Sequence, residues 1–184
     1  MKIKNFNEKI EIPSDIQVSL ENMKLTMKGK SGEVTKNFCM PRFKFSLQGN
    51  NLIIECSNYN FYDKNNFFTL KAHVKNMITG VNEGYKYILK ICSSHFPINV
   101  SVSGNKIIVK NLLGEKVPRE LVIKSGAKVE VKGTEIEVSG SNIEIVSQVA
   151  ADIEKMTKLT DRDRRIFQDG IYITHKAGKP VKSR

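Results

Sequence analysis

The chain has 184 residues, room for one large domain or two small ones, and its 40% of hydrophobic residues is enough to fill a core, which excludes full disorder. The 30 Lys and Arg against 19 Asp and Glu leave a net charge of +11, which favours a polyanionic partner, nucleic acid foremost. No apolar run approaches the roughly 20 residues that cross a bilayer, and residues 1–11 hold no apolar h-region, so neither a spanning helix nor a secretory signal is expected.

The first pattern begins at Ile12-Pro13. Strand alternation follows around Val18 and Leu20, then at Met23, Leu25 and Met27, and ends in Lys28-Gly29-Lys30-Ser31-Gly32-Glu33-Val34. Gly29-Lys30-Ser31 imitates the end of a phosphate-binding loop. Position 24, where that motif needs glycine, is Lys, and no helix is expected to start at Ser31, so nucleotide binding is not expected. Phe43, Phe45, Leu47, Leu52 and Ile54 alternate across a Gln48-Gly49-Asn50-Asn51 turn. Leu70, Val74, Met77 and Val81 then recur at helical spacing, with Asn65 or Asn66 as the expected cap.

After a short link at Asn82-Glu83-Gly84 the pattern repeats. Phe96-Pro97, then Ile98, Val100 and Val102, then Ile107 and Val109, then Asn111-Leu112-Leu113-Gly114-Glu115-Lys116 follow the first copy at an offset of 82 to 84. Ala127, Val129, Val131, Gly133, Ile136 and Val138 each lie 84 positions after Phe43, Phe45, Leu47, Gly49, Leu52 and Ile54. Ile145, Val146, Val149, Ala150 and Ile153 supply a second helix, with Ser141-x-x-Glu144 as its expected capping box. A period this long is domain duplication rather than a solenoid. The expected fold is α+β: two tandem homologous domains, each an antiparallel sheet packed on one helix. The two amphipathic helices argue against a single sandwich.

The end of the chain breaks the repeat. Thr160-x-x-Asp163 predicts a short helix to about Gln168, Asp169-Gly170 a turn, and Ile171-Tyr172-Ile173 a short strand. Residues 174–184 are polar and basic and are expected to be unfolded alone. The expected organisation is therefore a first domain over 1–82, a second over 83–157, and a basic extension of helix, strand and tail over 158–184.

Charge is segregated along this plan. Residues 84–128 carry 8 basic and 2 acidic side chains, residues 129–154 carry 1 and 6, and residues 155–184 carry 9 and 3. One face on phosphate and another toward water explains the segregation better than a general need for solubility. Lys110, Lys116 and Arg119 in the basic middle, and Arg162, Arg164, Arg165, Lys176, Lys179 and Lys182 in the extension, are the candidate RNA contacts. Tyr172 is a candidate for stacking on a base, or equally for packing beside Ile171 and Ile173.

Three sets of residues resemble, in order, the large-subunit ribosomal protein family numbered six in the universal scheme. They are His95-Phe96-Pro97-Ile98-Asn99-Val100, Asn111-Leu112-Leu113-Gly114-Glu115-Lys116, and Arg165-Ile166-Phe167-Gln168-Asp169-Gly170-Ile171-Tyr172-Ile173. The resemblance is to the eukaryotic and archaeal type, numbered nine in eukaryotes, and covers essentially the whole chain. The chain departs from the family pattern at Lys155, where glutamine is usual, and at Leu112, where phenylalanine is. The resemblance implies a cytoplasmic structural constituent of the large subunit, monomeric within the ribosome. It implies binding to large-subunit rRNA near the sarcin–ricin loop and the stalk base, beside neighbouring ribosomal proteins.

No catalytic residue, metal site or cofactor is expected. His73, His95 and His175 fall on three different elements, and Asp161 and Asp163 are better read as helix-start residues. Cys39, Cys56 and Cys92 are odd in number and lack a CxxC pair, so they are expected to be reduced thiols. An RNA-acting enzyme or a ribosome-independent RNA-binding protein is the alternative. A peripheral membrane protein is disfavoured, because the segment 160–168 offers only Ile166 and Phe167 for anchorage.

Overall fold

The computed structural model describes residues 3–181 apart from 22, 39, 50, 95, 161 and 164. Among the candidates, His95, Asp161, Arg164 and Lys182 lie outside the described residues. The chain divides into two compact units, Met1–Gly84 and Tyr85–Arg184.

The first unit runs β1 (Ile3–Glu11), β2 (Gln17–Glu21), β3 (Lys24–Gly29), β4 (Gly32–Asn37), β5 (Phe43–Gln48), β6 (Asn51–Tyr59) and α1 (Phe61–Asn82). Its strands form two antiparallel sheets, ordered β1-β6-β5 and β2-β3-β4, where one had been expected. The alternation in β3 explains how both are covered. Leu25 and Met27 point inward and are fully buried, while Lys24 and Lys28 face water. Phe67, Leu70, Val74, Met77 and Val81 form the buried stripe of α1, which packs on β3, β4 and β6.

Two local devices seat α1. Asn65 and Asn66 are inside the helix and do not cap it. The buried Asp63 carboxylate instead accepts the Asn60 backbone N–H at 2.9 Å and is balanced by Arg42 Nη1 at 3.0 and 3.1 Å. At the other end the Ser31 N–H donates to the Val81 carbonyl at 2.8 Å. A Cβ on Gly29 would stand 2.5 Å from Val81 Cγ1, so glycine is what lets this hairpin approach the helix end. The Gly29-Lys30-Ser31 segment is thus a docked β-turn, and its lysine pairs with Asp15 at 2.9 Å.

The second unit runs β7 (Tyr85–Cys92), β8 (Asn99–Ser103), β9 (Lys106–Lys110), β10 (Arg119–Val122), β11 (Lys128–Lys132), β12 (Glu135–Gly140), α2 (Ile143–Met156), β13 (Gly170–Lys176) and β14 (Lys179–Pro180). Its sheets are β10-β9-β8 and β11-β12-β7-β13-β14. The repeat is therefore topological: β7-β12-β11 matches β1-β6-β5, and β8-β9-β10 matches β2-β3-β4. The paired ends Lys132 and Glu135 leave a two-residue loop, entered by Gly133 at φ 61 as such hairpins require. Val146, Val149, Ala150 and Ile153 bury the inner side of α2 against β7, β10, β12 and β13.

Three expectations are corrected here. The cap of α2 is Asn142, whose Oδ1 accepts the Glu144 N–H at 2.9 Å, because the helix starts one residue later than a Ser141 cap would require. No helix is formed by the described residues of 160–168. Asp163 Oδ1 accepts the Arg165 N–H at 2.9 Å, and the Asp163 carbonyl accepts from Ile166 and Phe167 at 3.1 and 2.9 Å. One such turn is left because helix nucleation is costly, and the chain must be extended again by Gly170.

Residues 174–181 are not an unfolded tail. β13 runs on to Lys176, Gly178 at φ 78 helps turn the chain, and β14 returns along it, with the Val181 N–H on the Thr174 carbonyl at 2.8 Å. Pairing with β7 provides backbone partners that the segment lacks in isolation.

Candidate nucleic-acid interface

The C-terminal segment is held from three directions. Along one edge β13 pairs with β7 from Gly170 opposite Cys92 onward. Just before it, the buried Asp169 carboxylate accepts the Ser94 N–H at 2.5 Å and the Ser94 hydroxyl at 2.6 Å, tying the chain ends of the two strands together.

The other edge of β13 meets the end of α2. Thr157 Oγ1, itself donating back toward the helix carbonyls, accepts the Ile171 N–H at 3.0 Å. Glu154 Oε1 accepts the Ile173 N–H at 3.2 Å. Side chains thus replace a neighbouring strand and blunt an edge that would otherwise be open to pairing.

A pocket of about 400 Å³ lies where the end of α2 meets this edge. Ala151, Leu159, Phe167 and Ile171 supply apolar wall, Glu154 and Thr157 polar wall, and Lys155, Lys158, Gly170 and Tyr172 complete the lining. Tyr172 is 42% exposed, so it is not a core residue like the buried Ile171 beside it. Lys90 is its cross-strand partner on β7.

The candidates fall into different situations. Lys176 and Lys179 are exposed on the β13–β14 hairpin. Lys110 ends β9 and Lys116 follows the Leu112–Gly114 turn, both exposed. Arg162 lies over the Phe167 ring, 5.3 Å from its centroid. Arg165 is exposed but paired with Asp163, Nη2 to Oδ2 at 2.8 Å, and that bond holds the Asp163 carboxyl below its ordinary range. Arg119 is committed inside the unit. Its Nε and Nη2 take the two Glu115 oxygens at 2.8 and 2.5 Å, and Nη1 donates to the Met156 carbonyl at 2.6 Å. A cation there suits the negative end of α2. The geometry makes Arg119 a brace between the 111–118 loop and the helix.

Ion pairing sorts the remaining cations. Lys86, Lys106, Lys124 and Lys132 engage Glu137, Glu120, Asp152 and Glu130 within 3.5 Å. Two acids of the 129–154 block, Glu137 and Asp152, are thus spent on the basic middle of the chain, and Glu130 on Lys132 of its own block. In the second unit Lys90, Lys110, Lys116, Lys128, Lys155, Lys158, Lys176 and Lys179 make no side-chain hydrogen bond or ion pair with the described residues, and in the first unit neither do Lys9, Lys24, Lys28, Lys44, Lys64 and Lys75. Lys90, Lys155 and Lys158 were missed in the sequence. The Lys155-x-x-Lys158 spacing leading toward Arg162 was available as a signal, but the helix end and strand edge that turn it into a pocket rim were not.

The duplicated topology has a counterpart among known families. The model of the family described as Ribosomal protein L6 matches this chain twice, over residues 12–84 and 96–170. The chain belongs to the ribosomal protein L6 family. Both family matches stop short of β14, and the second ends at the first residue of β13. Among archaeal relatives, the large ribosomal subunit protein uL6 of Sulfurisphaera tokodaii is 45% identical over 177 residues, covering 96% of this chain and 95% of that protein. The same-named protein of Haloarcula marismortui is 39% identical over 170 residues, covering 92% and 96%. That of Methanobrevibacter smithii is 42% identical over 169 residues, covering 92% and 95%.

Proposed function

We propose that this chain is a structural constituent of the large ribosomal subunit in the cytoplasm and binds its rRNA near the sarcin–ricin loop and stalk base. The bonded contacts come from the second unit and its C-terminal hairpin. Lys110, Lys116, Arg162, Arg164, Arg165, Tyr172, Lys176, Lys179 and Lys182 form the contact set, joined by Lys155 and Lys158, while Arg119 braces the surface from within. Its neighbours there are other large-subunit proteins of the stalk base, and the chain acts as a single copy without cofactor or catalysis. The proposed domain plan keeps the RNA-binding part at 158–184, a range in which β13 and β14 belong to the sheet of the second unit.

The observation that carries this reading is the sorting of charge. Part of the acidic block is paired within the protein, Glu137 with Lys86 and Asp152 with Lys124, while the exposed Lys155, Lys158, Lys176 and Lys179, around the end of α2, β13 and β14, have no anion among the described residues. Their counter-charge must come from solvent or from a polyanion. Family membership supports large-subunit rRNA as that polyanion, since the relatives are called large ribosomal subunit proteins.

Sucrose-gradient fractionation of native lysate tests it. The chain is expected with large subunits after a high-salt wash. Recovery only at the top of the gradient overturns the assignment. A companion measurement uses purified protein and transcribed large-subunit rRNA. If about six phosphates are neutralised, affinity falls roughly a thousandfold between 50 and 200 mM salt on the duplex slope. Turnover of RNA or nucleotide by pure protein would favour the enzyme alternative instead.

A further inference from the structure

We propose that the pocket between the end of α2 and the edge of β13 receives one unpaired RNA nucleotide, its base against the Tyr172 ring and its phosphate on the amines of Lys155 and Lys158. The inference rests on the RNA-binding reading above and gives it a defined subsite.

The volume, about 400 Å³, falls at the small end of ligand pockets, which run from roughly 300 to 1,000 Å³. It suits a single base and its sugar, and is too small for a duplex. The composition fits the same guest. An aromatic ring that is 42% exposed stands beside apolar wall from Ala151, Leu159, Phe167 and Ile171. An unstacked base loses its neighbours in RNA and regains a π-face and apolar contact here.

Charge orients the guest. Glu154 lines the interior, anchored by its bond to the Ile173 N–H. A carboxylate there repels a phosphate, so the pocket is a poor site for a free anion. The cations that lack protein partners, Lys155 and Lys158, are exposed on the same lining, and Lys90 lies across the strand from Tyr172. A nucleotide separates its charge in the same way, with an uncharged base to go inward and a phosphate to stay at the rim.

The site is also rigid. Thr157 and Glu154 lock the helix end to β13, and Asp169 locks the entry to β13 onto Ser94. Little ordering cost remains to be met on binding, the condition under which a single stacked base contributes specificity.

The test uses the full chain. Purified protein is bound to transcribed large-subunit rRNA, irradiated at short ultraviolet wavelength, and digested for mass spectrometry. The expected result is a single-nucleotide adduct on a peptide from residues 155–172. Tyr172→Ala weakens rRNA binding by about five- to a hundredfold, with the salt slope unchanged. Tyr172→Phe, which keeps the ring, binds like the wild type. Ala151→Leu, at an exposed position on the pocket wall, fills the space without touching the core and reproduces the Tyr172→Ala loss.

Unchanged affinity and adducts in both Tyr172→Ala and Ala151→Leu, with thermal unfolding showing both folded, overturn the pocket. So does an adduct, formed in assembled subunits, that joins this peptide to a neighbouring protein instead of RNA. The double variant Lys176→Glu, Lys179→Glu separates the two levels. If it loses rRNA while the pocket variants do not, the pocket inference fails and the RNA-binding reading stands. If the wild type does not bind the rRNA at any salt, both fail.

Discussion

The two units share a topology and differ in what stands beside the strand that opens each of them. In the first, β1 is the edge of a three-stranded sheet. In the second, the equivalent β7 is the middle strand of five, because β13 and β14 have been added outside it. The helices differ in the same direction. α1 has 22 residues and its last turn receives the Ser31 hairpin, whereas α2 has 14 and its end, capped at Thr157, receives Arg119 and β13. A duplicated scaffold thus supplies its own control. The first unit carries the fold without the addition. The second carries it with added strands that close an edge, build a pocket and present Lys176 and Lys179.

The largest break in the comparison comes from removing the added strands. Deleting residues 170–184 strips the fully buried Ile171 from Leu89 and its neighbours and leaves β7 at an open edge. Truncating one such side chain costs about 2–5 kcal/mol, so losing the strand is expected to unfold the second unit. Hydrogen exchange should lose protection across 85–156 and keep it in 24–82. Equal protection in both units would show that β13 is only an attachment.

Next is the latch at Asp169. Asp169→Ala removes the buried carboxylate that accepts from both the Ser94 N–H and the Ser94 hydroxyl. A loss of about 2–3 kcal/mol is expected in denaturant unfolding of the second unit. A value under about 0.5 kcal/mol would mean that water replaces the carboxylate.

Helix starts sharpen the comparison by a smaller amount. Asn142→Ala removes the side-chain acceptor of the Glu144 N–H and should cost about 1 kcal/mol in the second unit. The corresponding job in the first unit belongs to Asp63, so Asn65→Ala and Asn66→Ala should leave its melting unchanged. A larger effect at either asparagine than at Asn142 would restore the cap expected from the sequence.

The smallest effect is electrostatic. Glu137 on β12 bonds Lys86 at 2.6 Å and Lys132 at 2.9 Å, and these bonds, Lys86 first, lower its pKa from the ordinary 4.5. A lowered folded pKa contributes stability that is full above pH 4.5 and is lost as pH falls through the folded value. Side-chain carbonyl NMR should show Glu137 titrating below the exposed glutamates, and Glu137→Gln should flatten the acid limb of the second unit's stability. An ordinary titration would mean that the two lysines are solvated.

The duplication, the α+β class, both helical stripes and the charge segregation were legible in the sequence, because each rests on local period or composition. Val146, Val149, Ala150 and Ile153 announce a buried face wherever the helix lands, and Gly49 and Gly133 announce hairpins. Other features depended on partners far along the chain. Tyr85, Tyr87 and Leu89 alternate visibly, but that β7 is a central strand depends on pairing with residues 170–175. The basic end read as a loose tail because its own composition cannot hold it. The ladder to β7, the Asp169 latch and the acceptors Thr157 and Glu154 hold it instead. The short helix expected at 160–168 yielded for the same reason: local capping stabilises a single turn, and the strand that must follow at Gly170 outweighs it. Sequence period determined which residues are buried within each element. Only the tertiary structure decided which backbone groups and cations find partners inside the protein, because those partners are set by long-range pairing rather than by neighbours in the chain.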